Sequence, residues 1–174
     1  RLGRGNTKGT HRIVYFGDAA NWGMKEGQKD RSQNILFWRN ISEHIDSWGD
    51  AYSGRILDYS GDVAPDHYGY IQIYELAVSD PEKFISAHKK IVSQARELME
   101  DRPVAFGSFD IGIPNGATHF VAVGYKGVSD NIVMKSKIEQ ALAKERKEYF
   151  KNRGDVTNTG NFDLRILKTY GSFN

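Results

Sequence analysis

The feature that constrains this fold most is a strand-and-helix stretch that occurs twice along the chain. Residues 70–77 have the pattern of a strand, and Ser-Asp-Pro-Glu at residues 79–82 is a helix-start signature in which Ser79 would accept a hydrogen bond from a backbone amide. Apolar residues then recur at helical spacing to about residue 99. Residues 120–130 align with residues 70–80 without a gap, and both stretches contain Val-Ser-Asp. The chain is therefore predicted to repeat a β-α-β unit.

Three such units fit along the chain, over about residues 11–60, 67–111 and 117–171. The predicted strands cover residues 11–17, 55–59, 68–76, 104–111, 118–125 and 162–170, and the predicted helices cover 32–47, 80–99 and 129–152. Residues 61–66 are predicted to join the second and third strands as a hairpin, and residues 114–116 to form a turn. The predicted fold class is α+β and ferredoxin-like, with three β-α-β repeats forming a mainly antiparallel sheet and the helices on one face.

Composition narrows the classes of protein to which the chain can belong. Residues 1–10 carry three glycines and basic residues without an apolar period, which predicts a flexible basic arm, and residues 11–174 are long enough for a single α+β domain. The formal net charge is only +2, so no nucleic-acid partner is expected, and no apolar run approaches the ~20 residues that would span a membrane. The chain is free of cysteine, which excludes disulfides and cysteine-based metal sites. Because it begins at Arg1, a periplasmic or secreted location is favoured over a cytoplasmic one.

The sheet face away from the helices is predicted to be apolar and covered by another surface. Depending on register, its residues include Val14, Phe16, Tyr70, Gln72, Tyr74, Phe120 and either Phe106 or Phe109. Such a face is too apolar to stay in water. We therefore expect a homodimer that packs sheet against sheet.

Residues 74–84, Tyr-Glu-Leu-Ala-Val-Ser-Asp-Pro-Glu-Lys-Phe, join the strand to the helix within the second predicted strand–helix–strand unit. This stretch resembles the dimeric α+β barrel superfamily, which includes antibiotic-biosynthesis-monooxygenase-like and stress-responsive barrel proteins, and the resemblance covers residues 11–111 best. It implies dimers formed by sheet packing and a pocket between sheet and helices that holds apolar or aromatic small molecules. In some branches of the superfamily the bound molecule is haem, with a helix histidine as the iron ligand.

Two histidines are the candidate catalytic residues. His88 lies in phase with Phe84, Ile91 and Ala95 on the apolar face of the second predicted helix. A neutral imidazole there can act as an acid or base or, as the resemblance implies, ligate haem; alternatively, it is a core-edge histidine bonded to a carbonyl. His119 begins the fifth predicted strand and can work with a nearby acid such as Asp58, Asp66 or Asp110, or else hydrogen-bond a turn.

Several aromatic residues and one further histidine are candidates for the walls of a ligand site: Tyr70, Tyr74, Trp22, Trp38 and His67. Tyrosine suits either a ligand or a partner sheet, because it buries a ring and keeps a hydrogen-bond donor. The histidines, at residues 11, 44, 67, 88 and 119, lack the close pairing of a metal site, so no metal is predicted. No cofactor is expected, with haem as the alternative.

The leading functional hypothesis is binding, or cofactor-independent transformation, of a small apolar or aromatic molecule in the pocket between sheet and helices. The alternative is a non-enzymatic interaction or assembly protein whose aromatic sheet face is a subunit interface. The sequence does not decide whether the protein is an enzyme.

Overall fold

The structure, a computed structural model, describes residues 2–5, 9–18, 20, 32–61 and 66–170. The chain forms two compact units. The sheet unit comprises Arg1–His11 and Ala51–Asn174, and the aromatic unit comprises Arg12–Asp50. Each unit has its own elements.

A six-stranded sheet forms the centre of the sheet unit. Its strands are β1 (Leu2–Gly5), β2 (Ser53–Ser60), β3 (Tyr70–Val78), β4 (Val104–Ile111), β5 (His119–Tyr125) and β6 (Val156–Arg165). The spatial order is β1-β6-β3-β5-β4-β2, and every neighbouring pair is antiparallel. Five longer strands thus form an antiparallel sheet, to which the four residues of β1 add an edge.

Helices connect the strands on one side of this sheet. They are α2 (Pro81–Met99), α3 (Val128–Ala141) and α4 (Ala143–Asn152), while α1 (Ser32–Ser42) belongs to the aromatic unit. The run β3-α2-β4 and the run from β5 through α3 and α4 to β6 each join two parallel strands that have another strand between them. Each run is therefore a split β-α-β unit. The α+β class is confirmed.

The predicted three-repeat arrangement is not confirmed, because the described residues hold two complete β-α-β units rather than three. Residues 11–17 were expected to form a central strand, but they form none, and Ile13 to Phe16 are 50–63% exposed. A strand needs a neighbour for its backbone groups, and apolar pattern alone does not supply one. Conversely, Leu2–Gly5 lies in the predicted flexible arm and pairs with β6 as a strand.

Two further predictions, the bounds of the last strand and the hairpin between β2 and β3, differ from the structure. The polar residues 157–161 lie before the predicted last strand, 162–170, yet they pair with β3 as part of β6, whereas residues 166–170 leave the sheet. The predicted hairpin between β2 and β3 is also wrong, because β5 and β4 lie between those strands in the sheet. Backbone pairing between strands determines both the bounds of β6 and which strands are neighbours in the sheet. Side-chain periodicity carries no information about that pairing.

The helix ends follow local hydrogen bonds. Asp80, rather than Ser79, is the N-cap of α2, since its Oδ1 accepts from the Lys83 amide at 3.1 Å, while Ser79 Oγ donates to the Asp155 carbonyl. The single helix predicted over residues 129–152 is two helices, broken at Leu142 with φ −117° and ψ 34°. The helix predicted over residues 32–47 ends at Ser42.

Two apolar clusters fill the space between helices and sheet. One contains Ala95, Met99, Val104, Val123, Tyr125 and Met134, and the other contains Leu76, Val78, Phe84 and Phe106. Tyr70 and Tyr74 pack against these clusters. They therefore face the helices, and the prediction that they lie on the opposite, covered face is wrong. Phe106 also faces the helices, whereas Phe109 and Phe120 contact each other on the far face with ring centroids 5.2 Å apart.

The aromatic unit has a different character. No described residue of it is buried. Nine of its described large apolar side chains are 39–63% exposed, while Ile41 and Ile45 are half-buried; the nine are Ile13, Val14, Tyr15, Phe16, Ile35, Leu36, Phe37, Trp38 and Trp48.

Candidate functional site

The two histidines predicted to be catalytic come together around one phenylalanine ring. Phe106 is fully buried in β4. The His119 ring stacks against it at 5.4 Å between centroids and 4° between planes, and the His88 ring lies 5.3 Å away at 40°. The Phe84 ring stacks on His88 at 5.7 Å and 13°, and it also lies 5.0 Å from the Phe106 ring. We call Phe84, His88, Phe106 and His119 the histidine cluster.

Sheet register and helix spacing place these four rings. In the antiparallel pair of β4 and β5, Phe106 lies opposite Val121 and Ser108 opposite His119, so Phe106 and His119 share the helix side of the sheet. Phe84 and His88 are four residues apart on α2, which puts them on the same helix face. The predicted inward phase of His88 is thereby confirmed.

Burial keeps the His88 imidazole uncharged. Its side chain is only 6% exposed, and this desolvation lowers its pKa to about 4, although the Asp58 carboxylate acts in the opposite direction. None of the hydrogen bonds found within the described part of the chain involves His88. In this part of the chain, the side-chain polar atoms that are fully buried and lack a hydrogen-bond partner are Ser60 Oγ and Arg102 Nε. The His88 nitrogens are not among them. His88 is thus a neutral imidazole that makes no hydrogen bond to another residue of the described ranges.

His119 is held more firmly. Burial lowers its pKa, and the nearby Asp110 carboxylate raises it by less. Its Nδ1 lies 2.8 Å from Thr118 Oγ1 in a hydrogen bond. Asp110 in turn accepts from Arg55 Nε at 2.7 Å and from Ser108 Oγ at 3.1 Å. His119 is therefore near enough to Asp110 to feel its charge, and its hydrogen bond goes to the neighbouring residue Thr118; a catalytic role for the pair stays a prediction.

Two carboxylates mark the β2 side of the cluster. Asp58 lies opposite Phe106 in the register of β2 and β4, and it forms an ion pair with Lys89 at 3.4 Å. Arg55, opposite Ser108, pairs with Asp110, whose pKa is lowered chiefly by that hydrogen bond. The cluster is therefore an apolar, aromatic centre with two neutral imidazoles and an ionised edge.

Tyr70 and Tyr74, the candidate tyrosines on β3, lie outside the histidine cluster. Tyr74 is opposite Val121, which is itself opposite Phe106, so Tyr74 is separated from the Phe106 position by one strand. Lys135 of α3 lies over the Tyr74 ring at 5.6 Å and donates to Gln72 Oε1 at 2.7 Å. Tyr70 lies farther along β3, next to Arg165, whose guanidinium is 5.9 Å from the ring centre.

The other candidate residues do not join the histidine cluster. His67 is in an exposed turn before β3, and Trp22 lies outside the described residues. Trp38 belongs to the aromatic unit, where it contacts Phe37 at 5.3 Å and Trp48 at 5.9 Å. A ligand role for these residues stays a prediction.

The sequence patterns did not single out two polar residues of this region, Glu75 and Lys135. Glu75 is 2% exposed on β3, and Asn115 Nδ2 lies 3.3 Å from its Oε2 as donor. An acid in an otherwise apolar strand was a signal that could have found it. The sequence gives no comparable signal for Lys135, because only the packing of α3 on β3 brings its side chain to Gln72.

A groove of about 470 Å3 lies between α2 and α4. Ala87, Lys90, Glu148 and Tyr149 are among its lining residues, and Lys90 and Glu148 form an ion pair at 3.3 Å. It opens between two helices, whereas the predicted pocket lies between helices and sheet. Among the described residues, no group of three or more histidines, aspartates and glutamates is placed to hold a metal. The His88 ring contacts both Phe84 and Phe106 and is 6% exposed, and haem ligation by His88 stays a prediction.

No protein-family model matches the chain, and neither does any curated protein or solved structure. None of the helices in the described ranges is long and apolar enough to cross a bilayer.

Proposed function

We propose that the protein binds a small aromatic or apolar molecule at the histidine cluster, on the helix side of β4 and β5. One observation carries this proposal, namely that two uncharged imidazoles flank the same Phe106 ring at 5.3 and 5.4 Å. Aromatic rings provide the contact area for an apolar ligand, and the imidazoles provide the few polar groups that orient it.

The chemistry of the cluster favours binding over strong base catalysis by His88. A general base works best when its pKa is near the working pH, and burial has lowered that of His88 to about 4. His119 has the Asp110 carboxylate nearby to support a proton. If the protein transforms its ligand, His119 is the proton acceptor and His88 the hydrogen-bonding partner.

The resemblance to dimeric α+β barrels belongs to this proposal. The strand order β6-β3-β5-β4, with helices connecting β3 to β4 and β5 to β6, supports a ferredoxin-like core. In that fold family the site is an apolar pocket between sheet and helices, which is the side on which the histidine cluster lies.

Nuclear magnetic resonance of the histidine side chains tests the proposal, with naphthol as the probe because it combines an apolar ring system with one hydroxyl. We expect saturable shifts of the His88 and His119 imidazole signals. The variants His88→Gln and His119→Gln should each weaken naphthol binding about tenfold, whereas the control His44→Gln, at an exposed position, should not change it.

Equal naphthol affinity in the wild type and in both cluster variants would refute the site. Equal weakening in His44→Gln would show that the probe binds without regard to the cluster. A cooperative urea transition for each variant establishes that the fold is retained.

A second function is favoured by the far sheet face, where Ile56 and Tyr59 of β2 are 45% and 43% exposed and Phe109 packs on Phe120. In this alternative, the protein is an assembly protein and the face contacts a second copy. The variant Ile56→Glu would then turn a dimer into a monomer, with no saturable naphthol binding in the wild type.

A further inference from the structure

The aromatic unit, Arg12–Asp50, presents more apolar surface than a free segment can leave in water. Ile35, Leu36, Phe37 and Trp38 are consecutive in α1 and are 39–61% exposed. Trp38 has ring contacts with Phe37, Trp48 and Tyr15 inside the unit, yet no described residue of the unit is buried. The described residues of the unit therefore make aromatic contacts without burying any side chain fully.

Helix geometry spreads the apolar residues 35–38 around α1. Successive residues of a helix are about 100° apart, so four consecutive apolar residues cover most of its circumference. A contiguous exposed apolar patch of this kind marks an interaction surface. At 11 residues, α1 is also shorter than the ~12–15 residues at which isolated helices become even marginally stable in water.

The exposed area matches one side of a stable dimer. A buried aromatic side chain covers roughly 150–250 Å2, so the nine half-exposed apolar side chains of the unit offer about 800 Å2 in total. A standard protein interface takes about 800 Å2 from each partner.

Charge favours a protein partner over a membrane surface. Helices that bind anionic lipids carry many Lys and Arg residues on their polar face. Residues 12–50 instead hold five basic residues against six acidic ones, so the unit carries no excess of positive charge. The centre of the patch, Ile35 to Trp38 together with Tyr15 and Phe16, is free of charge. A two-fold contact requires such a patch, because the same surface meets itself.

We propose that the aromatic unit is a self-association surface, on which α1 and residues 13–16 of one copy pack against the same surface of a second copy. This surface differs from the far sheet face and does not depend on ligand binding at the histidine cluster.

Two matched variants test the proposal. Ile35 in α1 is 61% exposed, and Ile132 in α3 of the sheet unit is 62% exposed. We expect light scattering during size exclusion to give the wild type twice the chain mass of 19.7 kDa. The variant Ile35→Glu should elute as the monomer, whereas Ile132→Glu should stay dimeric.

Three outcomes would overturn the proposal. The wild type could be a monomer at roughly 100 μM, a concentration at which an interface of this size should hold. Alternatively, Ile35→Glu could stay dimeric while Ile56→Glu dissociates, which would place the contact on the sheet. Finally, wild-type monomer could bind phosphatidylserine vesicles and lose that binding in Ile35→Glu, which would make the unit a membrane-surface segment. A matching urea transition of the sheet unit in both variants shows that neither has simply unfolded.

Discussion

The ion pair between Arg102 and Asp130 should be strongly asymmetric in its effect on stability. Arg102 lies between α2 and β4, and its side chain is only 2% exposed, whereas that of Asp130 in α3 is 25% exposed. Both terminal nitrogens of Arg102 donate to Asp130, at 2.5 and 2.8 Å, and the guanidinium lies 5.3 Å from the Tyr68 ring centre. The pair thus ties the first turn of α3 to the start of β4.

The magnitude follows from which charge is left buried. In Asp130→Asn the Arg102 charge stays in the interior without its counter-ion, which costs about 3–5 kcal/mol. The lower end, about 3 kcal/mol, is expected because Asn keeps one acceptor. In Arg102→Met the buried charge is gone, while Asp130 keeps water and the Lys126 amide at 2.8 Å. The loss there is about 2 kcal/mol, from hydrogen bonds and cation–π contact.

Urea unfolding of the two single variants and of the double variant measures this asymmetry. The double variant should resemble Arg102→Met, because removing the buried charge also removes the penalty of Asp130→Asn. The control is Glu100→Gln, which breaks the pair with Lys126 in which both side chains are 54% exposed, and which should change stability by less than about 1 kcal/mol. If Asp130→Asn is no more harmful than Arg102→Met, the buried-charge explanation is refuted.

The same pair predicts a loss of stability in acid. Burial alone would raise the pKa of Asp130, but the hydrogen bonds from Arg102 and from the Lys126 amide outweigh burial and lower it. A carboxyl whose pKa is lower in the folded state stabilises the fold above its unfolded pKa of about 4. That contribution should disappear as the pH falls below this value, and Asp130→Asn should lack it.

Three further predictions concern other positions. Burial lowers the pKa of His88 to about 4, whereas its unfolded pKa is about 6.5. The fold is therefore most stable above pH 6.5, and up to about 3 kcal/mol of the free energy of unfolding is lost as the pH falls to 4. Urea titrations of His88→Leu should lack this pH dependence. Asp80→Ala should lower the free energy of unfolding by about 1 kcal/mol and Ser79→Ala by less, and the reverse order would restore Ser79 as the cap. Gly107→Ala should cost about 2 kcal/mol in urea unfolding, because its Cβ would lie 2.5 Å from the backbone oxygen of Arg55 as well as 2.3 Å from Phe120 Cζ; an unchanged midpoint would contradict this packing.

Local signals predicted the elements whose boundaries are set by nearby residues. The strand Val104–Ile111 was predicted with its observed bounds, and α2 ends at Met99 as expected, shortly before Pro103. The turn at Pro114–Gly116 was also predicted from its own residues. The inward phase of His88 followed from helical spacing with Phe84. In each case the interaction that fixes the feature lies within a few residues along the chain.

The candidate site could be predicted only in part. The choice of His88 and His119 came from pattern, but their meeting at Phe106 depends on how α2 crosses β4 and how β4 pairs with β5. The network of Lys135, Gln72 and Asn161 depends likewise on the packing of α3 over β3 and β6.

The sequence by itself determined the α+β class, most helix and strand positions and the inward side of α2, because periodicity and capping are properties of short stretches. Only the tertiary structure decided that residues 157–161 join the sheet, that residues 11–17 do not, and that Tyr70 and Tyr74 face the helices. The physical reason is that a strand exists through hydrogen bonds to a distant neighbour. The face on which its side chains lie then follows from that register, which short-range patterns do not encode.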